Sequence, residues 1–121
     1  MAQTYNLEID EETDFSVRFV YTELSTGLPY DLTGATADMQ VRRLYNGVSD
    51  PEVKMSFSTT DGSIVVGGET GLVDVFIPYT ATKGKDWESG VYALFITTAE
   101  GKRVCFMTGF FTIIPNAVHL T

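Results

Sequence analysis

Cysteine, histidine, tryptophan and basic residues are all scarce in this chain, and each scarcity removes a class of function. One cysteine among 121 residues allows neither an internal disulfide nor a cysteine-based zinc site. The domain must then hold itself together by packing, which fits folding in a reducing compartment. The one histidine, His119, stands near the end with no cysteine or second histidine close to it. Catalysis by such a residue needs an oriented partner, so His119 reads as a surface or interface residue. Eight Lys and Arg against sixteen Asp and Glu leave a net charge of −8, the wrong sign for neutralising nucleic-acid phosphates. Acidity instead supports solubility or a meeting with a basic partner surface. No apolar run approaches the roughly 20 residues of a membrane helix. The N-terminus also lacks the basic-then-apolar order of a signal peptide, so neither nucleic acid nor membrane is an expected partner.

What is present is a core. Hydrophobic residues make up 44% of the chain, with eight Phe and six Tyr, which excludes a disordered segment. A chain of this length makes one domain and buries roughly two-thirds of its unfolded surface. We place the domain over residues 1–121, with its core at 13–115 and a short tail at 116–121.

Alternation with period two recurs along the chain and predicts short strands. Tyr5, Leu7 and Ile9 alternate with polar neighbours, as do Phe15, Val17, Phe19 and Tyr21. Ala37, Met39 and Val41 face one way, followed by a soft stretch at 46–51 that reads as a loop at the edge. Val53, Met55 and Phe57, then Ile64 and Val66, then Val73, Val75 and Ile77 continue the pattern between Gly-containing turns. Only residues 79–88 have room for a helical turn, and Trp87 there is expected to cap one end of the core. About eight strands spaced by turn signals indicate a sandwich of two sheets rather than a βαβ fold.

The two last strands differ from the rest. Residues 90–98 and 103–115 are apolar on both alternating faces, whereas a strand covering one core needs only one apolar face. With Tyr92, Leu94 and Ile96 inward, Val91, Ala93 and Phe95 point outward. With Cys105, Met107, Phe111 and Ile113 inward, Val104, Phe106 and Phe110 point outward. Phe95, Phe106 and Phe110, with Val91 and Val104, then line one outer surface. Two covers are open: a segment of the same chain at 43–57, or a partner subunit.

Chemical sites are absent from the pattern. Gly67 to Gly71 resembles a phosphate cradle only in composition, because a strand and not a helix N-terminus follows it; a hairpin turn is expected. Asp10, Glu11, Glu12 and Asp14 lack the spacing of a calcium loop and read as a solvated acidic turn. Cys105 lies among apolar residues and reads as a buried structural thiol. No catalytic, cofactor or metal residue is assigned, and no cofactor is expected.

The order of several short motifs resembles that of small β-sandwich proteins of tailed-bacteriophage virions. Leu28-Pro29-Tyr30-Asp31-Leu32-Thr33-Gly34 is followed by a strand ending Gln40-Val41-Arg42. Gly62-Ser63-Ile64-Val65-Val66, Gly71-Leu72-Val73-Asp74-Val75-Phe76-Ile77, Gly90-Val91-Tyr92-Ala93-Leu94, Glu100-Gly101 and Gly109-Phe110-Phe111-Thr112-Ile113 follow in turn. The resemblance covers residues 13–115 and rests on order and spacing, since each motif alone is only a turn or a strand. The chain departs from it at 83–87, Lys83-Gly84-Lys85-Asp86-Trp87, where threonine, alanine and leucine are usual.

The resemblance implies an all-β, two-sheet antiparallel immunoglobulin-like sandwich of about eight strands. It implies a non-enzymatic docking, adaptor or cementing module found in virions, folded in the host cytoplasm. Its expected partners are other copies of itself or tail, baseplate, fibre or head proteins. The competing class is a carbohydrate- or host-receptor-binding module, which would present exposed Trp or Tyr platforms. Read on its own residues, the Asp31–Gly34 segment is a fold-specifying corner: Asp31 or Thr33 bonds local backbone, Leu32 plugs the sandwich end and Gly34 opens a tight turn.

Overall fold

Among the described residues, period-two alternation becomes nine strands, with one α-helical turn and one short 3-10 turn at Gly68–Thr70. The computed structural model describes residues 3–23, 26–45, 48–83 and 87–114. The strands are β1 (Gln3–Thr4), β2 (Leu7–Asp10), β3 (Phe15–Val20), β4 (Thr36–Tyr45), β5 (Val48–Ser58), β6 (Ile64–Val66), β7 (Leu72–Ile77), β8 (Ser89–Thr97) and β9 (Arg103–Ile114). The helical turn α1 (Tyr79–Thr82) falls inside the one segment with room for it.

The strands form two sheets. The large one runs β1–β9–β8–β4–β5, with β2 also on β9, and the small one runs β3–β7–β6. The pairs β3–β7, β4–β5, β4–β8, β6–β7 and β8–β9 are antiparallel. The first run departs from the antiparallel expectation, because β1 and β2 both lie parallel to β9. The chain enters alongside β9 in the same direction and then crosses to the small sheet as β3. Leu7 and Ile9 are fully buried by this pairing, so the core begins before residue 13.

Between the sheets the alternation places its apolar faces as expected. Ala37, Met39 and Val41 of β4, Tyr92, Leu94 and Ile96 of β8, and Val73, Val75 and Ile77 of β7 are all buried. Each large aliphatic side chain taken from water contributes about 1.5–3 kcal/mol. Trp87 is buried and tilts over Phe111 at 6.3 Å, closing one end of the core. At the other end an aromatic group spans the sheets. Phe106 of β9 meets Phe19 of β3 edge-on at 6.1 Å and Tyr21 at 4.9 Å, and Tyr30 stacks on Tyr21 at 4.8 Å. Burial pushes the Tyr21 hydroxyl pKa up, with the neighbouring Tyr30 adding to the shift.

The expected loop at 46–51 is shorter than its composition implies. Residues 48–51 already belong to β5, the outermost strand beside β4. Pro51 is tolerated there because an edge strand does not need every N–H in a ladder. Register shifts between Val41 and Leu44 absorb the irregularity. The corner at 31–34 is as the residues imply. Asp31 Oδ1 accepts from the Thr33 N–H at 3.0 Å and the Thr33 hydroxyl at 2.6 Å, Leu32 is buried, and Gly34 takes φ +76°. The hydroxyl and then the amide of Thr33 hold the Asp31 carboxyl below its usual pKa. The 67–71 segment joins β6 to β7 as a turn, closed by the Gly67 N–H on the Leu72 carbonyl at 2.7 Å.

The acidic turn is less solvated than its composition implies. Glu11 is buried, because the turn closes over the end of the sandwich against α1. The Glu12 N–H donates to Thr82 Oγ1 at 3.0 Å, and the Tyr79 N–H to Asp14 Oδ1 at 2.8 Å. Glu12 takes φ +62°, a left-handed conformation that L side chains other than Asn and Asp rarely adopt. Glu12→Asn should therefore raise unfolding free energy in urea by up to about 1 kcal/mol. A loss of stability would show that the Glu12 side chain holds the turn.

Candidate interaction surface

The outward faces of β8 and β9 were expected to form one apolar patch, and a single bulge rearranges it. Along β8–β9 the register runs Val91 with Phe110, Ala93 with Thr108 and Leu94 with Met107, then shifts so that Phe95 faces Cys105. Phe106 is the extra residue in β9, and such an insertion sends two successive side chains to one side. Phe106 and Met107 are accordingly both buried.

Three expectations are corrected by this shift. Phe106 is not on the outer face; it is a core residue, 5% exposed. Val104 pairs with the inward Ile96 and so shares the inner face, half-buried. Cys105 is not a fully buried thiol, since it pairs with the outward Phe95 and is only half-buried. The bulge left no mark in composition, and period-two counting alone carries the wrong face past it.

Val91, Phe95 and Phe110 remain outside. Phe110 is 53% exposed, and Val91 and Phe95 are half-buried beside it. Arg103 covers part of Phe95, its guanidinium carbon 4.4 Å from the ring centroid. The fork of Arg103 grips Asp38 at 2.8 and 3.0 Å and touches Thr97 Oγ1 at 3.3 Å. Hydrogen bonding to Asp38 raises the guanidinium pKa further, so this cap stays charged at any working pH. The pair is exposed and contributes little to stability by itself. Its consequence is positional, holding a cation flat on an aromatic ring.

The described part of the candidate cover from the same chain, residues 43–57, does not lie over this face. Residues 48–58 extend the sheet sideways as β5 instead of folding across it. The rest of the outer surface of the large sheet is mostly polar, with Asp38, Gln40 and Arg42 on β4 and Glu8 and Asp10 on β2, although Ile114 of β9, beside Asp10, is also exposed. Asp38 and Gln40 sit opposite Ser58 and Ser56 of β5. The small sheet has its own mixed outer face. Its centre is the Arg18–Asp74 fork, at 2.7 and 3.1 Å, flanked by exposed Val20, Val65 and Phe76.

Among the described residues no group of three or more His, Cys, Asp or Glu side chains is placed to hold a metal ion. No helix among them is long and apolar enough to cross a membrane. His119 and the tail at 116–121 lie outside the described residues.

The two-sheet order defines the class. In immunoglobulin lettering, β3–β7–β6 corresponds to B–E–D and β9–β8–β4–β5 to G–F–C–C′. The chain is an all-β, immunoglobulin-like sandwich. Antibody domains staple strands B and F with a disulfide; here Phe19 and Leu94 supply apolar packing on those strands, and the only cysteine is elsewhere. No family model and no curated protein sequence matches the chain. Among solved structures it is similar to the extracellular domain of the voltage-gated sodium channel beta4 subunit, described as a parallel homodimer. That similarity has 11% identity and a TM-score of 0.43, over 96% of this chain and 95% of that one. Murine CRIg is similar at 14% identity and a TM-score of 0.41, over 92% of each chain.

Proposed function

We propose that this chain is a non-enzymatic structural module of a tailed-phage virion, docking through the outer face of its large sheet. One observation carries the docking role. Val91, Ala93, Phe95 and Phe110 form an apolar strip that, apart from the Arg103 guanidinium over Phe95, no described segment of the chain covers. Burying one such aromatic contributes about 1.5–3 kcal/mol, so a partner surface gains by covering it. The virion context draws on the order of motifs from Leu28 to Ile113, which resembles phage β-sandwich modules. In a symmetric particle, contacts of modest individual strength become strong by repetition. The partners are copies of this chain or neighbouring tail, baseplate, fibre or head proteins. The glycan- or receptor-binding alternative has less support, because Trp87 is buried against Phe111, and the exposed tyrosines Tyr5 and Tyr79 stand on different segments rather than side by side.

Antibody against the chain should decorate particles purified by density gradient, at one defined location in negative-stain images. Phe110→Asp should fold normally and be lost from those particles. Particles that lack the chain, or that incorporate Phe110→Asp at wild-type level, would overturn the reading.

A further inference from the structure

Among the described residues five strands stand at sheet edges: β1, β2 and β5 in the large sheet, β3 and β6 in the small one. An open edge is a row of unpaired N–H and C=O groups, which proteins blunt by shortening the strand, charging it, bending it or placing a proline in it. Four of the five edges carry such a device. β1 has two residues and β6 three. β2 has four, with Glu8 and Asp10 exposed. β5 contains Pro51, and register shifts break its pairing with β4. β3 is the exception. Its six residues pair with β7 in unbroken register from Phe15 to Val20, with no proline or glycine. Its one charge, Arg18, is balanced by the fork on Asp74 of the neighbouring strand, at 2.7 and 3.1 Å.

Hydrogen-bond parity shows which groups of β3 are left over. The Tyr21 N–H, one residue past the strand, donates to the Gly71 carbonyl at 2.8 Å. Direction alternates along an antiparallel pair, so Phe15, Val17 and Phe19 turn their N–H and C=O groups toward β7. Ser16, Arg18 and Val20 turn theirs the other way, where no strand of the described residues lies. Burial marks the same open flank. Val75 and Ile77 on the inner face of β7 are fully buried, whereas their partners Val17 and Phe15 on β3 are only half-buried.

We propose that the free edge of β3 accepts an extended segment of another protein, which adds to the small sheet as its fourth strand. This edge belongs to the other sheet from the apolar strip, so the two can fail separately. The edge specifies the chemistry of the segment. Outward N–H and C=O groups at Ser16, Arg18 and Val20 call for extended main chain, over about 20 Å for a six-residue strand. Alternate side chains of the segment face inward beside Val17 and Phe15 and are apolar. The one opposite Arg18 is acidic, because the guanidinium has five donors and Asp74 occupies two of its nitrogens. A second copy is the poorer occupant. In the antiparallel registers that overlap most of the strand, Arg18 falls opposite or diagonal to its own counterpart, and the chain's net charge of −8 adds repulsion.

Amide exchange followed by nuclear magnetic resonance on the full chain tests the edge. In the free chain Ser16, Arg18 and Val20 should exchange at least about a hundredfold faster than Val17 and Phe19, which face β7. Protection of the three at every protein concentration means that the chain covers its own edge; protection that grows with concentration means that a second copy does. Either result overturns the proposal. The probe is a synthetic peptide of Gly71–Pro78, whose apolar alternation and aspartate already match β3 in the fold. It should bind with a Kd in about the micromolar to millimolar range and slow exchange at Ser16, Arg18 and Val20 by about tenfold at saturation. Ser16→Pro and Val20→Pro remove only outward N–H groups, so both should keep the wild-type fold and lose the peptide, whereas Val17→Pro should unfold the chain. If an edge proline variant fails to fold, peptide-dependent exchange in the wild type decides alone. No slowing at the three amides in about 2 mM peptide, or folded proline variants that bind it unchanged, overturns the proposal.

Discussion

Phe106→Ala should lower unfolding free energy by about 3–5 kcal/mol, whereas Phe110→Ala on the same strand should cost under about 1 kcal/mol. The two residues are four positions apart and chemically identical, so the difference isolates burial. Phe106 is 5% exposed and touches Phe19 and Tyr21 across the sandwich; Phe110 is 53% exposed. Truncating Phe106 leaves a cavity between two sheets whose positions are set by other contacts, so the site collapses poorly. Leu94→Ala, at a fully buried position on β8, should fall in the range of about 2–5 kcal/mol and serves as a core reference. Urea melts of the three variants check the ordering. Equal losses at Phe106 and Phe110 would show that β9 carries no bulge. The same contrast guards the interface experiments, because any substitution at Phe106 confounds unfolding with lost assembly.

Gly109→Ala should cost about 3 kcal/mol or more, although alanine suits an extended backbone better than glycine does. The reason is a close approach rather than a dihedral angle. A Cβ at Gly109 would overlap the backbone carbonyl of Tyr5, where the chain passes from β1 to β2 beside β9. Backbone on both sides cannot move aside as a flexible side chain would. The clasp at this point is otherwise complete. The Tyr92 hydroxyl donates to the Tyr5 carbonyl, the Tyr5 N–H donates to the Thr108 carbonyl at 2.9 Å, and the Phe110 N–H donates to Asn6 Oδ1 at 3.0 Å. Burial raises the Tyr92 hydroxyl pKa, so it remains a donor throughout the neutral range. Releasing β2 would expose Leu7 and Ile9, each contributing about 1.5–3 kcal/mol. Hydrogen exchange should show residues 3–10 losing protection first. A Gly109→Ala variant within about 0.5 kcal/mol of wild type would mean that the N-terminal strands yield without cost.

Much of the architecture was legible because burial on one face of a strand leaves a period of two in the residues. Val73, Val75 and Ile77, and Tyr92, Leu94 and Ile96, show that period and are buried. The corner at Asp31–Gly34 was legible for a different reason. Its hydrogen bonds run between residues two apart, so the information is local.

Three features were not legible, and all depend on partners distant in the chain. Parallel pairing of β1 and β2 with β9 joins residues about a hundred positions apart, and an isolated strand carries no sign of its direction. The bulge at Phe106 depends on how β9 meets β8, and the apolar run at 103–115 reads equally well with or without a skipped residue. Burial of Glu11 follows from α1 closing over the turn, a contact between residues about seventy positions apart. The sequence by itself determined the strand segments, the apolar face of most of them and the local turns, since each is set by neighbours within a few residues. Only the tertiary structure decided which aromatic residues of β9 are core and which are surface, because one inserted residue reverses every later face.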